Sequence, residues 1–401
     1  MSDTINKSDL SFDDPTLPLV VVTSTTNWHE PPRMRHQVTR QLCRFFNVLF
    51  IQLPFGSMHK STYCEKINPR MNVVFMQELS FARQKARTYS FTFGRLIHAL
   101  ILRVVCEAVH QTGYRKAVLI NFSHEIPELM QTPIFNTAFY LCNDEFIRGT
   151  GTSWKHRWCR QITVKREQQV ATFADQCLGV SSYLVEKLKH WNAHVHLFLP
   201  GHEFAVPQPA EILLGNRNRR PVNVCFMGYI NYRLRYDWLL ALAKRDDILL
   251  TLLGPVSEKN RVSVEQLENT KHCQVAPPLY GADLQHRLSQ MDVLIIPYDT
   301  RIKAVQAVSS SNKFFQYLAC GRPVVISDMP HFVQLPAGCV YRASSASEFV
   351  ESVYQAFRED STAYIHQRLE IAGENHWDSR GQFLQNLLQT DGNDHAACDS
   401  A

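Results

Sequence analysis

Ser309-Ser310-Ser311-Asn312-Lys313-Phe314-Phe315-Gln316-Tyr317-Leu318-Ala319-Cys320-Gly321-Arg322-Pro323-Val324-Val325-Ile326-Ser327-Asp328 is the stretch whose reading decides the fold. It predicts a loop, a short helix, a tight stop and a buried strand. Ser and Asn favour helix starts because their side chains accept from otherwise unpaired backbone N–H groups. Phe315, Leu318 and Ala319 fall on one helical face. Gly321 suits the left-handed residue that ends a helix, and Pro323 stops it from continuing. Val324-Val325-Ile326 is a β-branched run of the kind covered on both faces in a parallel sheet. Just upstream, Asp292-Val293-Leu294-Ile295-Ile296-Pro297-Tyr298 predicts another buried strand that empties into a polar loop. In open α/β sheets, a strand leading through such a loop to a helix start forms a phosphate site. Free N–H groups and the positive helix end face the anion, and Lys313 adds a full charge. A plain capped helix with a solvated lysine accounts for the same residues, and local physics leaves both readings open.

The rest of the chain repeats this grammar. Leu19-Val20-Val21-Val22-Thr23 reads as a first strand. A loop from Ser24 to Arg35 follows, carrying Trp28, His29, Glu30 and Pro31-Pro32. His36, Thr39, Gln41 and Leu42 then fall in a helical pattern, and Asn47 to Leu53 forms a second strand. This β-loop-α-β order opens a Rossmann-like half. Further strands are predicted at Ala117 to Asn121, Ala138 to Cys142, Cys177 to Val180 and His194 to Leu199. Residues 206–220 hold Pro207, Pro209 and an apolar-free run from Gly215 to Arg220, which reads as a linker. Val222 to Met227, ending in Gly228-Tyr229, opens a second half, and Ile248 to Leu253 continues it. The expectation is an α/β chain with Rossmann-like domains at 1–205 and 221–375. A C-terminal helix at 376–390 and a disordered tail at 391–401 complete it.

Composition narrows the class. The 401 residues are 45% apolar and 20% charged, enough for two or three globular domains. No run of about 18 apolar residues exists, so no spanning helix is expected. The polar, acidic start from Met1 to Pro15 is unlike a signal peptide. Eleven cysteines without C-x-x-C spacing fit reduced thiols and a cytoplasmic location. Residues 1–205 carry 23 Lys+Arg against 16 Asp+Glu, whereas 206–401 carry 19 against 21. A basic first half suggests an anionic partner there, and no nucleic-acid motif accompanies it. Within 79–116, Phe93, Ile97, Leu100, Ile101, Val104 and Ala108 recur at helical spacing beside Arg83, Lys85, Arg87, Arg95 and Arg103. A crossover helix packed on the sheet explains this stripe, and so does a basic amphipathic helix lying in a membrane interface. Six more Lys/Arg lie between Arg148 and Arg166 with no acid before Glu167.

Tyr298, followed by S-x-N-K-x-x-Q-Y-L-A-x-G-x-P-V-V from Ser310, resembles the nucleotide-sugar site of GT-B glycosyltransferases. The likeness is closest to bacterial exopolysaccharide and teichuronic-acid enzymes of the xanthan β-glucuronosyltransferase type. These also show an H-x-x-T-x-Q-L after their first strand, as His36 to Leu42 does here. The resemblance implies two Rossmann-like domains facing across a cleft, with a last helix returning to the first domain. It implies that Lys313 contacts the diphosphate, and that Tyr298, Ser310, Ser311 and Gln316 line a donor pocket; Asn312 and Tyr229 are further donor-binding candidates, and Gly228 either lets the backbone approach the donor or forms a plain turn. It places the loop of His29 and Glu30 on the acceptor side. Retaining members usually carry two glutamates eight positions apart, where this chain has Val308 and Gln316; the departure favours inversion.

Transfer from a nucleotide diphosphate sugar needs a stabilised leaving group and a base for the acceptor hydroxyl. The chain has no Asp-x-Asp pair, so Lys313 and the N–H groups of 310–313 are expected to serve without metal or other cofactor. Asp144 directly follows a hydrophobic strand and is the expected base, with Glu145 as fallback. A surface or capping aspartate explains the same position. His124 and His202 are further loop groups, His124 on the acceptor side, and Arg233 and Arg235 are candidates for a diphosphate or sugar carboxylate. The expected function is transfer from a UDP-linked sugar to a saccharide or lipid-linked acceptor in polysaccharide biosynthesis, at the cytoplasmic face of a membrane. A retaining transferase, a sugar-nucleotide epimerase and a non-catalytic binding protein remain open.

Overall fold

The computed structural model describes residues 10–30, 32–54, 59–146, 153–212, 220–310 and 312–398. The apolar runs become strands that are covered on both faces, which removes their backbone groups from water only if the ladders pair them. The chain divides into two compact units, one reaching Phe198 and resumed from Arg380, the other Leu199–Ser379.

In the first unit the strands are β1 (Leu19–Ser24), β2 (Asn47–Gln52), β3 (Tyr63–Asn68), β4 (Met71–Phe75), β5 (Ala117–Asn121), β6 (Phe135–Cys142), β7 (Gln176–Gly179) and β8 (Val195–Leu197). Their order across the sheet is β3-β4-β2-β1-β5-β6-β7-β8. All pair in parallel except β3, which runs antiparallel to β4. β1 lies centrally, with Val21 opposite Leu49 on one side and Leu119 on the other. The sheet reverses its winding between β1 and β5, so the loops after those strands share one edge.

The second unit holds β9 (Val222–Met227), β10 (Ile248–Leu253), β11 (Cys273–Ala276), β12 (Val293–Ile296), β13 (Val324–Ser327) and β14 (Val340–Ala343), in the order β11-β10-β9-β12-β13-β14. Every pairing is parallel. Trp238, Leu239 and Leu242 of the helix Tyr236–Ala243 cover one face with Phe349 and Val353. Phe314, Phe315 and Leu318 of the helix Asn312–Ala319 cover the other.

Four strands escaped the sequence reading. β3 is polar and half exposed, β11 and β14 are four residues long, and β4 is a buried run without alternation. Residues 79–116 fold as two helices, Phe81–Tyr89 and Phe91–Gln111, rather than one. Ser90 divides them, its side chain accepting from Phe93 N–H at 3.3 Å. No described helix is long and apolar enough to cross a membrane.

The boundaries also differ from expectation. The chain passes to the second unit at Leu199, not after 205, because Phe204 is buried among Leu284, Leu288 and Phe315. Gln285 Nε2 donates to Ala205 O, and Ile212 fills the space against Gly321. Part of the expected linker, 213–219, lies outside the described residues. The last helix, Trp377–Cys398, starts in the second unit and from Arg380 belongs to the first. It runs through most of the expected disordered tail, since no proline interrupts it. Residues 399–401 lie outside the description.

His202, one of the loop histidines, is structural. It is 1% exposed, and its Nε2–H donates to Ala372 O at 2.7 Å while Nδ1 has no hydrogen-bond partner. Burial pushes its pKa down to about 4. The unfolded chain therefore binds the proton first, so stability is lost as pH falls from about 6.5 towards 4. We expect urea unfolding at pH 4.5 to show a loss of about 2.5 kcal/mol from this group relative to pH 7. A His202→Asn variant lacks that share of the pH dependence; an unchanged slope would refute the assignment.

Candidate functional site

Several of the candidate phosphate-site residues of the second unit come together at the carboxyl end of β9. Leu253 O accepts from Gly228 N–H at 2.9 Å, drawing the ends of β9 and β10 together. Gly228 and Gly254 both have positive φ, +130° and +142°, which glycine adopts without strain. A side chain on Gly254 would strike the Gly228 backbone, so this close approach requires glycine. Tyr317 Oη accepts from Met227 N–H at 2.8 Å, pinning the helix Asn312–Ala319 to the end of β9. That helix carries Lys313 in its first turn, where the helix dipole favours an anion.

Lys313 points at Gly228. A Cβ placed on Gly228 would lie 2.7 Å from Lys313 Nζ. The ammonium sits 4.5 Å from the centre of the Phe226 ring and 5.1 Å from that of Tyr298, held by both π-faces. No ion pair of Lys313 with a carboxylate occurs among the described residues. Among the described residues, Ser310 Oγ is buried without a hydrogen-bond partner, just before the helix. An orphaned hydroxyl beside a paired-up strand edge is costly unless a ligand or water satisfies it. Tyr298 is half buried after β12, and its backbone bridges Leu234. Gln316 is half buried, and Tyr229 is 54% exposed. Ser311 lies outside the described residues, as does the side chain of Asn312.

The neighbouring arginines are differently employed. Arg235 makes a two-pronged contact with Asp237, at 2.9 and 2.6 Å, and lies over Trp238. The hydrogen bonds raise the Arg235 pKa and lower that of Asp237. Arg301 and Asp299 form the same arrangement at 2.8 Å. Arg233 is exposed, and its N–H donates to Asn231 Oδ1.

In the first unit the candidate acceptor groups follow β1, β5 and β6, but the structure gathers only some of them. Asp144 is exposed just beyond β6, with Oδ1 accepting from Glu145 N–H at 2.8 Å. Arg35 Nη2 donates to Asn143 Oδ1 at 3.1 Å and its guanidinium lies 5.8 Å from the Phe122 ring. Burial lowers the Arg35 pKa, while Asp144 and Glu30 oppose that shift. Sequence reading missed Arg35, because a basic residue at a helix start carries no distinguishing pattern. His124 follows β5 and stacks on Phe146, ring centres 4.1 Å apart. Burial lowers its pKa, so the imidazole is neutral near pH 7. His29 is drawn to the opposite flank, its Nε2 lying 3.0 Å from Glu65 of β3 and its ring stacked on Phe75. Glu30 pairs with Arg33 at 2.9 Å. His36 organises this loop from below: Nδ1 accepts from Arg33 N–H, and Nε2 lies 3.1 Å from Asn27 O.

Glu145, the fallback base, is committed elsewhere. Lys187 bridges Glu145 at 3.3 Å and the fully buried Glu167 at 2.7 Å, with Tyr140 also donating to Glu167. Among the described residues, no group of three or more His, Cys, Asp or Glu is arranged to hold a metal ion.

Residues 221–359 match the family model described as glycosyl transferases group 1. No curated protein matches the chain by sequence. Solved structures match nearly its whole length. An α,α-trehalose-phosphate synthase (UDP-forming) from Burkholderia vietnamiensis superposes with a TM-score of 0.64 at 9% identity, covering 94% of this chain and 97% of that one. An E. coli structure described as trehalose-6-phosphate bound with UDP-2-fluoro glucose gives 0.61 at 11%, covering 92% and 98%. Anabaena HepE in complex with UDP gives 0.60 at 10%, covering 93% and 100%. At such low identity these likenesses establish the fold. The chain thus has the α/β GT-B fold of two Rossmann-like parallel-sheet units, and within it residues 221–359 match the glycosyl transferases of group 1.

Proposed function

We propose that the chain transfers a sugar from a UDP-linked donor to a saccharide or lipid-linked acceptor in polysaccharide biosynthesis, with inversion and without metal. The observation that carries this reading is the Lys313 ammonium, aimed at Gly228 from the first turn of a helix inside the matched domain. It carries a positive charge where a strand end and a helix start leave N–H groups for a diphosphate. The unpartnered Ser310 hydroxyl adds a donor or acceptor at the same place. The UDP in the E. coli and Anabaena structures supports a uridine nucleotide.

In the proposed step, the acceptor oxygen bonds to the anomeric carbon as the bond to the diphosphate breaks. UDP leaves with that electron pair, and Lys313 offsets its charge. The acceptor proton passes to Asp144. Inversion is supported by Val308 and Gln316, which supply no carboxylate where retaining relatives place one. Metal independence is supported by the absence of an Asp-x-Asp pair.

Calorimetry with UDP, then turnover of UDP-glucose and UDP-glucuronate on a lipid-linked saccharide, tests the reading. The expected results are saturable UDP binding, product of inverted anomeric configuration by NMR, and a rate unchanged by EDTA. Asp144→Asn should bind UDP normally and lose about 10²-fold or more in kcat. A retained anomer would replace inversion by the retaining mechanism. Absence of UDP binding would leave a binding protein of this fold.

A further inference from the structure

The outer face of the first unit carries apolar side chains that its own core does not use. The helix Phe91–Gln111 buries Ile97, Ile101, Val105 and Ala108, the ordinary inward stripe of a crossover helix. Beside that stripe, Phe93 (62% exposed), Leu96 (62%) and Leu100 (40%) form a second one at spacings of three and four, open to solvent. Phe81 is 73% exposed and Trp154 68%. Single exposed apolar side chains are ordinary, whereas here several neighbouring helices present them together.

Specific contacts join these helices into one surface. Trp158, itself exposed, donates its Nε1–H to Tyr89 O at 2.9 Å, which ties the helix Trp154–Phe173 to Phe81–Tyr89. The buried Arg166 donates to Arg87 O and Ser90 O, just before Phe93. Gly94 lets that guanidinium approach, since a Cβ there would strike it. Phe81, Lys85 and Tyr89 share one helical face, as do Trp154 and Trp158. The exposed charge on the three helices is mostly positive, with Arg95 paired to Glu128 of the neighbouring turn at 3.4 Å. Arg83, Lys85, Arg95, Arg103, Lys155 and Arg157 are exposed. Across the three helices the only acids are Glu107 and the buried Glu167.

We propose that this face docks on an anionic lipid bilayer, with Phe81, Phe93, Leu96 and Trp154 entering the headgroup boundary. Aromatic and leucine side chains favour that boundary, and the surrounding cations attract its negative surface. Docking places the first unit on a membrane without a spanning segment. It stands on the surface alone and does not depend on the transfer reaction.

Sedimentation with vesicles of 30% phosphatidylglycerol in phosphatidylcholine tests it, with pure phosphatidylcholine as the neutral control. The full chain should pellet with the anionic vesicles, release in 1 M NaCl, and shift its Trp emission to the blue. Lys155→Glu/Arg157→Glu should weaken binding about tenfold or more. Leu96→Ser, a solvent-facing change that leaves the core intact, should weaken it and reduce the depth seen by brominated lipid. UDP binding, read by calorimetry where it occurs in the wild type, should stay unchanged in both variants, and their melting curves should match the wild type. Equal binding to neutral vesicles, or undiminished binding by both variants, would overturn the proposal. So would a dimer in solution that Leu96→Ser dissociates without any vesicle binding, or tighter binding to single-stranded DNA than to the anionic vesicles.

Discussion

Replacing Lys313 by alanine should reduce kcat by about 10²–10³-fold, because removal of a single preorganised charge-stabilising group typically costs that much. The fold should survive, since Lys313 contributes its ammonium to two ring faces rather than to a buried ion pair. Lys313→Arg should not restore the rate. The amine occupies the space that Gly228 leaves by having no side chain, and a guanidinium is too broad for it. Gly228→Ala should reproduce much of the loss from the other side. Its Cβ would lie 2.7 Å from Nζ, and its φ of +130° strains any other residue. Single-turnover rates with a UDP-sugar donor, set beside melting curves, separate this from misfolding. Full activity in Lys313→Ala would remove the leaving-group role and with it the main support for the proposed transfer.

The largest stability effect is expected at Lys187→Met. Glu167 is fully buried, and Lys187 Nζ at 2.7 Å is its only cationic partner among the described residues. Burial by itself lowers the Lys187 pKa, but the Glu167 and Glu145 carboxylates oppose it and hold the ammonium charged at neutral pH. With the folded pKa raised, the pairing is intact through neutral pH and is lost only as pH rises through that value. Breaking a buried pair by removing one partner costs about 3–5 kcal/mol, because the remaining charge is left uncompensated. Urea unfolding at pH 7 should show that loss, and adding Glu167→Gln should recover a large part of it. A change below about 1 kcal/mol would mean that water or another group already compensates Glu167. The same cluster explains why Glu145 is unsuited to proton transfer: its carboxylate is engaged with Lys187 rather than turned to solvent.

Much of the local structure around the candidate donor residues was legible because its signals are local. Gly321 does end the helix in a left-handed conformation, at φ +67°. Lys313 does stand in the first helical turn. What could not be read was the company these residues keep. Gly254 and Phe226 are as necessary to the Lys313 position as Gly228, yet one lies 59 residues before it and nothing in its own neighbourhood marks it. The candidate acceptor groups were read less well. Asp144, Glu145, His29, Glu30 and His124 all follow strands, which is all a sequence reveals of them. Their partners then separate them: Glu65 and Lys187, distant along the chain, take His29 and Glu145, while Arg33, three residues on, takes Glu30. Among the described residues, Asp144 meets its own backbone neighbour and the nearby Arg35, while His124 meets an aromatic face.

By itself, then, the sequence determined the alternation of buried strands and helices, the two-sheet α/β class and the place of the helix tip that carries Lys313. Each follows from interactions within a few residues: side-chain periodicity, capping, and the conformational freedom of one glycine. Only the tertiary structure decided the strand order, the exchange of the last helix between units, and which charged side chains are tied up in pairs. Those outcomes rest on contacts between residues far apart in the chain, as Gln41 and Gly381 are, whose energies depend on mutual burial and distance rather than on sequence neighbours.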